Sequence, residues 1–304
     1  MAVKSKITFS SDALYHIYER AKDHGVLFYS LEDRLVYYTL AAVKAKKHKI
    51  RVSAASLMYT HTHLSVFAGC LDSILNFLHD LNSSYTRFYN HYHHRKGELF
   101  EKPVGRAQKL TSKSIRSAEI YIFNNHFEKG LCTRAEQCRW ALLAYASSDS
   151  PFSQPLHIRS ASNRLRRAMK LVDRRVRALT ALEYKDLTDI FSSLDEKESE
   201  QFTDYVISRY SLIDFSIPIA HFGSLENLLA AVHSTSGSEY DISEEFYSFK
   251  DTSYEKLIKF ARSECFLNDI FILSDDERRI LAEKIHKGTK IALFIISRFL
   301  HFKI

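Results

Sequence analysis

Glycine and proline are scarce in this 304-residue chain, with eight of the first and four of the second. Long coil regions and glycine-rich phosphate loops are therefore not expected. Neither G-x-G-x-x-G nor G-x-x-x-x-G-K-S/T occurs. Cysteine is equally rare. Cys70, Cys132, Cys138 and Cys265 form no C-x-x-C pair. A zinc ribbon or a disulfide framework is thus not expected, and the thiols read as reduced, which fits a cytoplasmic setting. Met1 to Asp12 holds no apolar core of a secretory signal. The longest late apolar run, Ile291 to Phe302, is interrupted by Arg298 and is too short to span a bilayer. No membrane partner is expected.

What is present is apolar and aromatic. The hydrophobic fraction is 45% and the aromatic fraction 13%. That is ample for buried cores, and the length suits roughly two domains. The formal charge is +7 and the pI near 9.0, compatible with a polyanionic partner but modest for the length.

The expected elements follow from periodicity. Leu14 to Tyr18 reads as a first strand. Leu31 to Lys47 reads as a helix capped by Ser30, with Leu35, Tyr38, Ala42 and Val43 on one face. Arg51 to Phe67 gives two strands or a hairpin. Asp72 to Tyr92 is a strongly amphipathic helix that runs into the wet, basic stretch His91 to Gly97. A short extended segment, Glu98 to Leu110, follows. Thr111 to His126 is the next helix, capped by Thr111 or Ser112 and followed by Gly130. Trp140 to Tyr145 closes this half.

Ser147 to Pro155 is the clearest loop in the chain. The expected organisation is an α+β unit over 1–148, a linker over 149–158 and an all-helical region over 159–304. In that region helices are expected at Ser162 to Thr180, basic along its length and with charge on all sides, at Asp195 to Tyr210 and at Gly223 to His233. Ser236 to Ser238 is a break. Ser274 to Ile285 opens on a Ser-Asp-Asp-Glu start signal. Gly288 and Thr289 separate it from a last helix, Lys290 to His301.

The chemistry-bearing stretch is Leu57 to Phe67, which is apolar on both sides of His61-Thr62-His63. On an extended segment the two imidazoles share a face, because side chains alternate with a period of two. Such a pair can chelate one divalent cation. With 15 histidines in the chain, two ordinary residues near a strand end are the blander reading. Tyr121 and Asn125 lie four apart on the expected Thr111 to His126 helix, one turn apart on one face. If that face opposed the strand, two imidazoles and a carboxamide would form a three-ligand site beside a phenol. The phenol could attack a phosphodiester whose charge the metal offsets. Seventeen tyrosines are present, and Tyr85 and Tyr89 are equally helical, so the residues alone leave the choice open.

The order of these segments resembles a known family. Leu14-Tyr15-His16-Ile17-Tyr18-Glu19-Arg20 is similar to an opening strand written Y-H-V-x-x-R. Leu57 to Leu64 is similar to a metal strand written L-M-P-N-H-x-H-L. Leu81 to Asn90 and then Gly97 to Phe100 resemble L-N-x-x-Y-x-x-Y-x-N and G-x-L-F. Tyr121 to Asn125, ending at Lys129-Gly130, resembles Y-I-x-x-N-P followed by glycine. Arg139 to Tyr145 resembles a closing W-S-S-x-x-x-Y. The family is the IS200-like single-tyrosine transposases of the HUH endonuclease superfamily, in particular the branch associated with repetitive extragenic palindromes. The resemblance covers Leu14 to Tyr145. Tyr59 and Thr60 stand where the pattern has Pro-Asn, and His126 where it has proline.

The resemblance implies an antiparallel sheet flanked by helices. It implies His61, His63 and Asn125 as metal ligands for Mg²⁺ or Mn²⁺, and Tyr121 as nucleophile, with Tyr85 and Tyr89 in a structural helix. The activity implied is a metal-dependent single-stranded DNA endonuclease and strand transferase that forms a 5′-phosphotyrosine. The alternative is a non-cleaving DNA-binding protein that keeps the fold. A metallohydrolase of small phosphoesters gives no role to the tyrosine. Single-stranded or hairpin DNA is the implied partner. A homodimer stays open, since related transposases are implied to act as dimers or monomers.

Arg20, Arg87, Arg95, Lys96, Lys102 and Arg106 are the candidate phosphate contacts, with aromatics interleaved. The basic stretch Arg164 to Arg177 reads equally as a solvated helix or a second DNA contact. Ser274 to Phe302 resembles the first two helices of a helix-turn-helix, without a recognition helix before Ile304. His126 reads as a surface residue at a helix end, with a spare ligand as the other reading.

Overall fold

Residues 8–159, 161–234, 251–264, 266 and 270–302 are described by the computed structural model. The expected break at Ser236 to Ser238, Cys265, and Met1 to Ile7 lie outside them. Four strands form one antiparallel sheet in the order β2-β3-β1-β4. β1 is Leu14–Arg20, β2 Arg51–Leu57, β3 His61–Phe67 and β4 Gly105–Lys109. β1 and β3 pair with Tyr18 opposite His63 and Arg20 opposite His61. β2 and β3 pair with Ser56 opposite His63. Cross-strand partners share a face. One face therefore carries His16, Tyr18, Arg20, His61 and His63, and the other Ile17, Glu19, Thr62 and Leu64. Of the expected extended segment Glu98 to Leu110, only Gly105–Lys109 is strand, with an isolated bridge between Ala21 and Phe100.

The second face is covered by α1, Leu31–Lys47, and α2, Leu71–Tyr92. α1 begins at a capping box: the Ser30 hydroxyl accepts from the Asp33 amide, and the Asp33 carboxylate accepts from the Ser30 amide. Such a cap is worth about 1 kcal/mol. α2 is anchored by two fully buried tyrosines. The Tyr85 hydroxyl donates to the Leu27 carbonyl at 2.8 Å and that of Tyr89 to the Val26 carbonyl at 3.0 Å.

The histidine-bearing face is covered by α3, Ser112–Glu128, which Thr111 caps. Three short 3-10 turns between Ala135 and Ala146 complete this half.

The second half is helical among the described residues. α4 spans Asn163–Arg177, α5 Tyr184–Phe191, α6 Glu196–Tyr210, α7 Ser216–Phe222 and α8 Leu225–Ser234. α9 spans Asp251–Ser263, α10 Asp275–Thr289 and α11 Leu293–Phe299. α10 runs through Gly288 and Thr289, so the expected break there is corrected to Lys290. That residue takes a left-handed conformation and caps the helix. α4 is also corrected. Charge does not surround it, because Leu165, Ala168, Met169 and Val172 form a buried stripe at helical spacing.

The helical half shares one core with the sheet half. α4 packs on α6, α6 on α1, and α7 and α8 on α3. The Tyr38 hydroxyl donates to the Ile207 carbonyl and Tyr184 to the Asp33 carboxylate. Val52 of β2 bridges Ile213. The expected linker runs along α6, where the Gln201 side chain donates to the carbonyls of Gln154 and Pro155. α11 is fastened to the first half by the Tyr29 hydroxyl, which donates to the Phe299 carbonyl at 2.6 Å. No described helix is long and apolar enough to cross a membrane.

Candidate metal and tyrosine site

β3 is hydrogen-bonded on both edges, so His61 and His63 are set by a rigid strand. Their rings lie 5.0 Å apart, centroid to centroid, and are perpendicular. The turn before them is tightly held. Met58 donates to the His61 carbonyl, Ala21 to Thr60 and Leu27 to Tyr59. The Arg34 guanidinium stacks over the Tyr59 ring at 4.4 Å and near Trp140 at 5.4 Å. The two residues that depart from the family pattern thus have jobs here. Tyr59 closes an aromatic–arginine stack. The Thr60 hydroxyl lies 3.0 Å from His61 Nδ1.

His63 Nδ1 lies 2.9 Å from His16 Nε2. Both Nδ1 atoms are therefore engaged. Partners of this kind fix ring orientation and tautomer in metal sites. Burial holds the His63 imidazole well below its ordinary range, and His61, His16, Arg20 and Lys129 add to the depression. His63 is accordingly neutral, as ligation requires.

α3 brings Tyr121 to this pair within one chain. Its ring packs edge-on to His63, at 5.4 Å between centroids, and against His16 at 5.7 Å. Asn125 follows one turn later and is fully buried. Neither atom of its carboxamide has a hydrogen-bond partner among the described residues. An amide left so costs about 1–3 kcal/mol. An oxygen ligand role would offset that cost, so the residues fit a cation held by two imidazoles and one carboxamide. Among the described residues no cluster of three His, Cys, Asp or Glu side chains suits a metal.

The surroundings are enclosed: His63 is 0% exposed, Tyr121 6% and His61 9%. His126 is corrected from a surface residue to a buried one, with Nδ1 3.1 Å from the Ser56 hydroxyl. Cys138 lies against it and against Cys132, and these neighbours pull the Cys138 thiol below the ordinary range. Cys70, Cys132 and Cys138 are all free thiols.

The six candidate phosphate contacts do not form one patch. Arg20 lies opposite His61 on the histidine face. Arg106 pairs with Ile17 and belongs to the other face. Arg87 is an exposed residue of α2, stacked near Phe88. Arg95 is spent on local structure, donating to the Asn90 side chain and to the carbonyls of Gly97 and Glu98. Lys102 pairs with Glu98 at 2.7 Å, and Lys96 is exposed. Sequence reasoning missed the positions of His16 and Lys129. His16 had a signal, since it lies at the same parity as Tyr18 and Arg20 on a strand expected to pair. Lys129, beyond the end of α3, had none.

No family model matches the chain, and no curated protein matches it. A solved structure of a REP-associated tyrosine transposase bound to a REP hairpin is similar over 48% of this chain and 85% of that one. The identity is 8% and the TM-score 0.38.

Proposed function

We propose that the chain is a metal-dependent single-stranded DNA endonuclease and strand transferase of the single-tyrosine transposase type. The packing of Tyr121 against His63 in one chain, with the buried Asn125 carboxamide one turn on, carries this reading. The ordered motifs from Leu14 to Tyr145 support it. His61, His63 and Asn125 would hold Mg²⁺ or Mn²⁺. A bound divalent cation supplies Lewis-acid stabilisation of charge on the phosphoryl oxygens. The Tyr121 phenol gives up its proton, its oxygen bonds to phosphorus in line, and the bond to the 3′ sugar oxygen breaks. The products are a 5′-phosphotyrosine and a free 3′ hydroxyl, which can later attack to rejoin strands.

A second reading is favoured by burial. With His63 fully enclosed and Tyr121 6% exposed, a DNA-binding protein that keeps the fold without cutting is consistent with the same geometry. One experiment separates the two. The protein is incubated with hairpin-flanked single-stranded DNA and Mn²⁺, and a covalent adduct is sought. An adduct in the wild type that disappears in Tyr121→Phe supports transfer. Cleavage unchanged in Tyr121→Phe overturns it. DNA binding with no Mn²⁺ binding by calorimetry supports the second reading.

A further inference from the structure

α4 carries a strip of positive charge that the tyrosine site does not use. Arg167, Lys170, Arg174 and Arg177 are all exposed. At 100° per residue they fall within about 80° of arc, directly opposite the buried stripe of Leu165, Ala168, Met169 and Val172. Along the axis they span about 15 Å. None of the four forms an ion pair among the described residues. Six carboxylates of α4 and of the segments that follow it have other partners. Asp173 binds Arg209 and Tyr205. Glu183 and Asp186 bind Arg175, Glu198 accepts from the Ser162 amide, and Glu200 and Asp204 bind Arg139.

We infer that this strip binds the phosphate backbone of duplex DNA, as a second contact remote from the tyrosine. Three features select that partner. α4 is separated from the histidine face by α6, α1 and the sheet. The strip therefore holds a different stretch of nucleic acid from any that reaches Tyr121. No aromatic side chain lies on the exposed face of α4, and single strands are gripped by stacking on aromatics interleaved with charge. The apolar stripe is consumed by packing on α6, so it has nothing to insert into a bilayer. A straight row of unneutralised cations suits contact with the backbone of a duplex, where phosphates lie about 1.7 Å apart along the axis.

The inference rests on DNA as partner but not on the strand chemistry. Its test uses full-length Tyr121→Phe protein and a fluorescent 30-base-pair duplex, with affinity read by anisotropy over a KCl series. The variant replaces Arg167, Lys170, Arg174 and Arg177 with glutamine. A control replaces the exposed Lys46, Lys49, Lys287 and Lys290 instead. Circular dichroism confirms that both fold. The strip variant is expected to bind at least about tenfold more weakly, with the salt slope reduced by roughly 3 to 4, while the control changes little. Equal loss in the control overturns the inference, as does an unchanged slope in the strip variant. Equally strong, strip-dependent binding to phosphatidylserine vesicles also overturns it. Adduct formation by wild type carrying the four strip substitutions, on a short single strand, is expected to persist. Absence of the adduct from both this protein and the unsubstituted one would count against the strand chemistry and leave the strip intact, whereas its loss only on strip substitution would overturn the remoteness of the strip.

Discussion

Burial raises the Glu19 carboxyl from its ordinary 4.5 to about 7, against the hydrogen bonds from Asn82 and Tyr37 that favour its charged form. A raised folded-state value means that the folded protein holds this proton more tightly than the unfolded chain. The stability it contributes is full below pH 4.5 and is lost as pH rises through 7. In Glu19→Gln that component disappears. The stability of wild type relative to the variant should fall by roughly 2–3 kcal/mol between pH 5 and 8, read from urea midpoints. A difference that is flat with pH would refute the assignment. His16 is a second residue with a sharp expectation. Replacing it with alanine removes the partner of His63 Nδ1 and should weaken Mn²⁺ binding about 10- to 100-fold. His16→Gln, which can still meet that nitrogen, should recover part of it. Calorimetry of both variants checks this, and circular dichroism controls for folding.

At the scale of elements, the Asp33 carboxylate joins three helices. It accepts from His93 of the α2 terminus at 2.8 Å, from Tyr184 of α5 at 2.7 Å and from the two amides that start α1. Burial opposes its charge, but His93 and the hydrogen bonds win and hold its carboxyl below the ordinary range. Asp33→Ala strands these donors and should cost about 3–5 kcal/mol in a denaturant titration. The boundaries of α1 and α3 were legible because Ser30 and Thr111 are cap residues before periodic stretches. β3 was legible because apolar runs flank the two histidines. The joint at Asp33 was not, since its partners lie 60 and 151 residues away. α9 was missed although Tyr254, Leu257, Ile258 and Ala261 recur at helical spacing. α5 and α7 span eight and seven residues, too short for periodicity to stand out. At the site, the H-x-H pair and the Tyr121–Asn125 spacing were readable locally, while their burial depends on α3 packing over the sheet.

At the scale of the molecule, Ser147 to Pro155 reads as a linker between domains, yet the helices after it share the core of the sheet half. Tyr29, Tyr38 and Tyr184 cross that boundary with buried hydroxyls. Calorimetry should therefore record one cooperative transition spanning both halves. Two well-separated transitions would show that the halves melt independently.

β3 lies between two partners, and its odd-numbered residues face α3. A slip of one residue in that pairing would exchange the two sets of side chains. Thr62 and Leu64 would turn toward α3, and both imidazoles toward the face that Tyr37 covers. Such a chain could keep the outline of the fold yet have nothing with which to hold a cation. Alignment of one seven-residue strand is thus what separates a chemically competent molecule from a blank copy, and Mn²⁺ uptake would count the competent fraction in any preparation.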